Sequence, residues 1–453
     1  MSHSTASRVA LVAVVGAGPA GIYATRKLTE AGHAVVLLNR DVRPGGLAEY
    51  GIYFNKYSMK AGLRKQFRKI LETRSVHYVG NTTVGTDADI SLAQMRELLR
   101  PDAIVIAAGA QGTKRLAIPG ESATGVIHAK ELVYHYNGLP PFSERAMPVG
   151  NNVIVVGIGN VMVDVAHYLI HELRVHSCTA LARRGPGQRA YTNAEIKAVS
   201  ANIDADSLAA EIARIGPQLL AAGEDPQGLL AELLRFRDEP PPEGSSPTRL
   251  RFRFLSQPVA IIVDAFGAVA GARVERTRLD RRGDELLARG TGVYDDLAAD
   301  TVILAIGDRA DARLGLPFAG SAYVTRPSED PVNPGDEAYQ CYDPAAAAVL
   351  PGVFVAGWSR RASEGLVGKA RQDGERAAAV VNRYLSGVAP ASADPNERVK
   401  ALRDELTRQG RRVVTFDDVL RLQAREAAEA ERRGREYFRF ATNAEMLAAA
   451  TPN

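Results

Sequence analysis

Glycines at positions 16, 18 and 21, in GAGPAG, and arginines at 183 and 184, in CTALARRGPG, are the residues from which chemistry can be read first. The glycines have the G-x-G-x-x-G spacing that brings backbone against a pyrophosphate. Gly16 permits the tight turn, Gly18 the close approach, and Gly21 close packing of helix on strand. The helix opened by Pro19 and Ala20 turns its positive N-terminal end toward the phosphates. A second turn, GIGNVM, repeats the pattern with Gly157 and Gly159, and Met162 replaces the third glycine. Its following strand ends at Arg183 and Arg184. An acid there would favour NAD, whereas guanidinium groups attract the 2′-phosphate of NADP. After the first turn the corresponding place holds Asn39, an amide able to bond a ribose hydroxyl without the strength of a carboxylate.

These residues need strands and helices in a fixed order. Arg8–Arg40 reads as strand, glycine turn, helix and strand, and Val9–Val15 is a β-branched run suited to a buried parallel strand. Val153–Val156 serves the second turn in the same way, and Asp102–Ala110 and Asp300–Asp308 read as the last strand of each nucleotide-binding unit. Pro351–Trp358 is a further strand-to-turn element, and Ala201–Gly244 has the three-and-four spacing of helices. The tail from Gly387 reads as a linker, VAPASADPNE, followed by helices. Two nucleotide units in one chain imply two cofactors, NADPH and FAD. The chain has 453 residues, enough for two domains with separate cores. Its formal net charge of +4 is too small to call for nucleic acid or a membrane. Cys178 and Cys341 form no CxxC or ligand pattern, so no metal and no dithiol relay are expected, and this usage suits a reducing cytoplasm. The apolar opening run leads into a glycine turn rather than a cleavage site, and is read as a strand instead of a signal peptide.

With these motifs in place, the whole chain resembles adrenodoxin reductase and the bacterial ferredoxin–NADP reductases built on the glutathione-reductase plan. The resemblance rests on GAGPAG, IPGE at Ile118–Glu121, YNGLP at Tyr136–Pro140, GIGNVMVDVA, ARRGPGQRAYTNAEI, GVFVAGWSRR with EGLVG, and the tail VVTFDDVLRLQAREA with NAEMLAAA. It implies that Gly157 and Ile158, Gly159, Asn160 and Val161 cover the NADPH pyrophosphate, that Arg183 and Arg184 hold the 2′-phosphate, and that Glu195 lies on the nicotinamide side. Gly46, Leu47, Val84, Gly109, Trp358, Gly365, Leu366 and Val367 are the further expected cofactor contacts, with Gly365 also near the nicotinamide. The segment Arg43–Lys60 matches the flavin-contact stretch through GGL and YG. Where the family then has Ala-Pro-Asp-His, this chain has Tyr53, Phe54, Asn55 and Lys56. Lys56 thus stands where a histidine could relay protons, and a lysine, which normally stays charged, does so poorly.

The expected architecture is an α/β chain of two Rossmann-like nucleotide-binding domains. A discontinuous FAD domain (1–112 and 318–453, with a C-terminal helical tail) surrounds an inserted NADPH domain (113–317). The expected activity is FAD-dependent ferredoxin–NADP(+) oxidoreduction. Hydride passes from NADPH to flavin, and single electrons pass to an acidic iron–sulfur protein. A partner of that charge calls for a basic face. The alternating strand TRLRFRFL puts Arg249, Arg251 and Arg253 on one side, near Arg235 and Arg237. Lys56, Lys60, Arg64 and Arg68 recur at helical spacing as a second candidate. Two alternatives stand beside this reading: the NADPH-oxidising subunit of a larger complex, like the small subunit of glutamate synthase, and a nucleotide-sensing flavoprotein with little turnover.

Overall fold

The computed structural model describes residues 9–241, 243–283, 285–330, 335–389 and 394–452. The heart of the expected linker after Gly387 and one proline of the DEPPPEGSSP loop lie outside these. The chain divides into two compact units. The first comprises Met1–Lys114, Tyr134–Glu144 and Gly307–Asn453, and the second Arg115–Val133 and Arg145–Ile306. The return to the first unit therefore falls at Gly307 rather than at 318, and the YNGLP stretch belongs to the first unit. Gly112–Thr113 pairs antiparallel with Asp308–Arg309, so the outgoing and returning strands are hydrogen-bonded where the chain changes unit.

In the first unit, β1 (Leu11–Val15), α1 (Pro19–Glu30), β2 (Ala34–Leu38), α2 (Leu47–Tyr50), α3 (Tyr57–Leu71), β3 (Val76–Val79) and β4 (Ala103–Ile106) follow in order. They join a six-stranded sheet whose order is Gln340–Asp343, Ala348–Val355, β4, β1, β2, β3. All neighbours are parallel except the pair at the Gln340 edge. Both faces are covered, which is why these strands are near-continuous apolar runs. Val12 and Val14 point into one cluster with Ile22, Leu28, Ala377 and Val381, and Leu11, Ala13 and Val15 into another with Met95, Leu99 and Leu402. The long helix Val367–Ser386 lies on α1 at Gly374, where an added Cβ would sit 2.1 Å from the Ala20 carbonyl oxygen.

The second unit holds a parallel five-stranded sheet in the order Val126–His128, Thr301–Leu304, Asn152–Val156, Ser177–Leu181, Arg249–Arg253. A three-stranded antiparallel sheet, Ser256–Val263, Val269–Arg282 and Glu285–Ala298, is added to it. Helices Ala205–Ala221 and Pro226–Leu233 account for the alanine- and leucine-rich stretch. The IPGE motif is structural: the Glu121 carboxylate accepts from the amides of Leu116 and Ala117 at 2.8 and 2.7 Å. Among the described residues no helix is long and apolar enough to cross a membrane.

Candidate functional site: two dinucleotide cradles

In each unit the chemistry-bearing loops lie at the carboxyl ends of parallel strands, where open α/β sheets bind ligands. At the end of β1, Gly16 has φ +109°, and a Cβ there would stand 2.4 Å from the Ala107 carbonyl oxygen. A Cβ on Gly21 would lie 1.9 Å from the oxygen of Gly16, so the third glycine is what lets α1 seat on the turn. A Cβ on Gly18 would meet nothing within 4 Å. That open side, at a helix N-terminus without a side-chain cap, fits a pyrophosphate. Gly46 completes the cradle with φ +50°, its would-be Cβ 3.0 Å from the Gly18 Cα, and Leu47 follows as the first residue of α2. Tight approach on one side and open space on the other suit the adenine dinucleotide portion of FAD.

Two further turns converge on this cradle. Gly109, φ +73°, accepts a 3.3 Å bond from the Ser359 hydroxyl, joining the turn after β4 to the Gly357–Ser359 turn. Gly357 sits against Ala20, and its amide donates to Asp373 on the long helix at 2.5 Å. Arg360 and Tyr339 also bond Asp373, so this carboxylate sets the path of the Trp358 turn. The Trp358 indole N–H donates to the Glu364 carbonyl at 3.0 Å and so fixes Trp358 beside Gly365, Leu366 and Val367. Leu366 is 65% exposed and unusually open for its size. Val84 instead packs half-buried on the apolar cluster of the opposite sheet face.

Asn39 is positioned differently from the expectation. It is buried, and its side-chain carbonyl accepts the Ala17 amide at 3.3 Å. Its NH₂ donates to the carbonyls of Asp41 and Arg43, both at 2.8 Å, and reaches the Tyr78 hydroxyl at 3.1 Å. Its donors are already engaged, so a ribose hydroxyl would have to donate to the remaining lone pair of its carbonyl. Asn39 instead ties the glycine turn to the loop that leads into Gly46.

The second cradle follows the same physics. Gly157 has φ +131°, with a would-be Cβ 2.3 Å from the Ala305 oxygen, and Gly159 opens onto empty space. Met162, in place of a third glycine, is fully buried. The Ile158 carbonyl accepts the Ala190 amide at 2.9 Å, and Asn160 accepts the Thr192 amide at 3.1 Å. Thr192 in turn caps the short helix carrying Glu195, which is half-buried. The glycine turn and Glu195 are thus held together by one backbone bond and by the Asn160 and Thr192 side chains, while Val161 is exposed. Arg183 is exposed and Arg184 half-buried, just past Ser177–Leu181. Their carbonyls bond Thr277 and Leu255, which fixes the backbone, and among the described residues no carboxylate pairs with either guanidinium.

The proposed basic faces are altered by the structure. Leu250 and Phe252 are buried and the arginines take the other side, as alternation requires. Yet Arg251 pairs with Asp204, Arg253 with Glu211 and Asp295, and Arg237 with Asp238. These pairs neutralise Arg237, Arg251 and Arg253 inside their own unit, an arrangement alternation cannot reveal. The helical series is not one solvated face either. Arg68 pairs with Glu72, Arg64 with Glu49, and Lys60 is only 4% exposed. Lys60, Leu63, Phe67 and Ile70 share one stripe at three-and-four spacing, a signal that could have placed this lysine inside. Burial lowers its ammonium to about 7, with help from Arg64. Lys56 is half-buried at the N-cap of α3. Sequence reasoning also missed Asn137, which accepts from Lys60, and Arg439, which bonds Asn137 and pairs with Glu49. Burial pushes the thiols of Cys178 and Cys341 up to about 12 and about 11, so neither is a thiolate at neutral pH.

Comparison with known proteins agrees with this arrangement. Residues 10–202 match the family model described as pyridine nucleotide-disulphide oxidoreductase. The chain is 28% identical to the NADPH-ferredoxin reductase FprA of Mycobacterium leprae, over 96% of this chain and 97% of that protein. It is 26% identical to the mitochondrial NADPH:adrenodoxin oxidoreductase of Homo sapiens, over 98% and 92%. The solved structure of Mycobacterium tuberculosis FprA in complex with NADPH superposes with a TM-score of 0.80 at 26% identity, covering 98% of this chain and 100% of that one. Matched over nearly its full length in both sequence and fold, the chain is similar to the adrenodoxin-reductase type of ferredoxin–NADP reductases.

Proposed function

We propose that the chain is an FAD-dependent ferredoxin–NADP(+) oxidoreductase moving electrons between NADPH and an iron–sulfur protein. Bound FAD supplies the conversion between a two-electron hydride and single electrons. The observation that carries the reading is a pair of separate glycine cradles, one of which is followed by two arginines that lack carboxylate partners among the described residues. The first cradle, with Gly16, Gly18, Gly46, Gly109 and the Trp358–Val367 turn, orients the flavin nucleotide. The second orients NADPH through Gly157–Val161, with Arg183 and Arg184 on the 2′-phosphate and Glu195 on the nicotinamide side. No side-chain nucleophile takes part, and both thiols are buried and protonated.

The acceptor is read as an acidic iron–sulfur protein. Of the arginines singled out, Arg235 has no carboxylate partner among the described residues, and Arg249 makes no ion pair there but only a longer-range attraction to Asp204, so these two remain the candidates for meeting it. Buried free cysteines suit a reducing compartment, and the cytoplasm is the location we infer. The test is anaerobic titration of the FAD-loaded protein with NADPH, followed by a panel of ferredoxins. Full bleaching of the flavin by one equivalent of NADPH and ferredoxin-dependent reoxidation are expected. A flavin that NADPH does not bleach within minutes would overturn the reading.

A further inference from the structure

Lys60 is a buried cation in an environment built mostly of other cations. Its amine donates to the Asn137 side-chain carbonyl at 2.6 Å. The same asparagine's backbone oxygen accepts from Arg439 at 2.9 Å. The carboxylate of this cluster is Glu49, and it is shared: Arg64 binds it in a two-pronged fashion at 2.9 and 2.6 Å, and Arg439 pairs with it as well. Arg64 and Arg439 thus share one carboxylate, and Arg64 is the charged neighbour that acts on Lys60. Arg43 and Glu426 nearby form a closed pair that adds no net charge.

The other titratable groups around Lys60 do not supply a counter-charge. On its own helix Lys56 stands one turn earlier, its carbonyl accepting the Lys60 amide. From the C-terminal segment, the Tyr437 hydroxyl accepts from Arg64 at 2.8 Å. From the Tyr134–Glu144 segment come Tyr134, whose hydroxyl burial raises far above its ordinary value, and His135, whose ring nitrogen faces the Phe142 carbonyl at 2.9 Å. From α2, Tyr50 lies under the Arg439 guanidinium and is likewise held protonated by burial. Lysine is almost never this buried unless paired, and here its protonated form adds to an existing positive surplus.

Glu49 and Tyr50 belong to α2, which starts at Leu47 with Gly46 as its cap, so the carboxylate that Arg64 holds stands two residues from the segment assigned to the flavin. Hydride addition without a proton leaves the cofactor one unit more negative. We propose that Lys60 is a redox-linked proton-holding residue: its amine takes a proton from solvent when the flavin is reduced and returns it on reoxidation. This rests on the functional reading above. The balance is simple. NADPH and oxidised FAD give NADP⁺ and the reduced flavin anion, and Lys60–NH₂ plus a solvent proton gives Lys60–NH₃⁺. On reoxidation two electrons go singly to the acceptor, the hydride-derived proton leaves the flavin, and Lys60 releases its own. The coupling is reciprocal: the proton on Lys60 favours the reduced flavin as much as reduction favours the proton.

The test is potentiometry of the FAD-loaded full chain across the neutral range, paired with a dye measurement of protons taken up per flavin reduced. One proton per two electrons changes the equilibrium tenfold per pH unit, ~30 mV for a two-electron couple. The wild type is expected to take up more than one proton per flavin just above neutrality, with a matching steeper stretch. Lys60→Arg, always charged, and Lys60→Met, never charged, are expected to follow the one-proton line throughout. A wild-type chain that takes up one proton at every pH overturns the proposal, whether or not the variants fold. So does a steeper stretch that survives in both variants. A chain that retains no flavin overturns the functional reading as well, which separates the two failures.

Discussion

Replacing Arg183 and Arg184 by alanine is the perturbation that most directly probes the choice of NADPH. The pair follows the strand Ser177–Leu181, with Arg183 exposed, Arg184 half-buried, and no carboxylate among the described residues to compete for either. Charge-assisted hydrogen bonds contribute ~1.5–3 kcal/mol, and the half-buried Arg184 belongs at the upper end. Arg183, in water, gives up only ~1 kcal/mol of Coulomb attraction at contact distance. Together they stabilise bound NADPH by ~3–4 kcal/mol, so the double variant should lose a few hundredfold, ~10²–10³, in kcat/KM for NADPH. The loss with NADH should stay within about twofold, since no phosphate is there to read. Arg184→Ala alone should account for most of the effect, and added salt should weaken the wild type more than the double variant. The assay is steady-state reduction of an artificial acceptor by each nucleotide, with flavin content checked by absorbance. Equal losses for NADPH and NADH would refute the assignment of the pair to the 2′-phosphate.

Other perturbations follow from single contacts. Gly157→Ala forces a Cβ to within 2.3 Å of the Ala305 oxygen at φ +131°, and should abolish NADPH binding by calorimetry while the flavin spectrum stays intact. Asn39→Asp restores an acid at the end of β2, yet removes the donors to Asp41, Arg43 and Tyr78. It should destabilise the flavin unit by ~3 kcal/mol and speed FAD release, and tighter FAD binding by this variant would contradict the clamp role. Lys60 has a folded value of about 7 against an ordinary 10.5, so the unfolded chain holds more protons between these limits. Stability should therefore rise with pH across that window, approaching ~1.4 kcal/mol per unit. Denaturant unfolding of Lys60→Met should lack this rise and show greater stability than the wild type below pH 7.

Both nucleotide cradles were legible in the sequence because the constraints on them are local. Gly16 and Gly157 need positive φ and zero side-chain volume, and the adjoining valine runs need two covered faces, so a window of some tens of residues carries the whole signal. Arg183 and Arg184 could be placed for the same reason, since a strand's end is set by its own pattern. Side-chain partners from distant segments were not legible. Lys60 meets an amide 77 positions away, and Arg43 meets a carboxylate 383 positions away. The arginines of TRLRFRFL looked free until folding brought Glu211 and Asp295 beside them. Asn39 looked like a weak ribose ligand until Ala17, Arg43 and Tyr78 closed around it. Periodicity tells which side of an element is dry. Which charges are neutralised there, and whether a lysine keeps its proton, depend on desolvation and Coulomb terms summed over every packed neighbour, and only the tertiary structure brings those neighbours together.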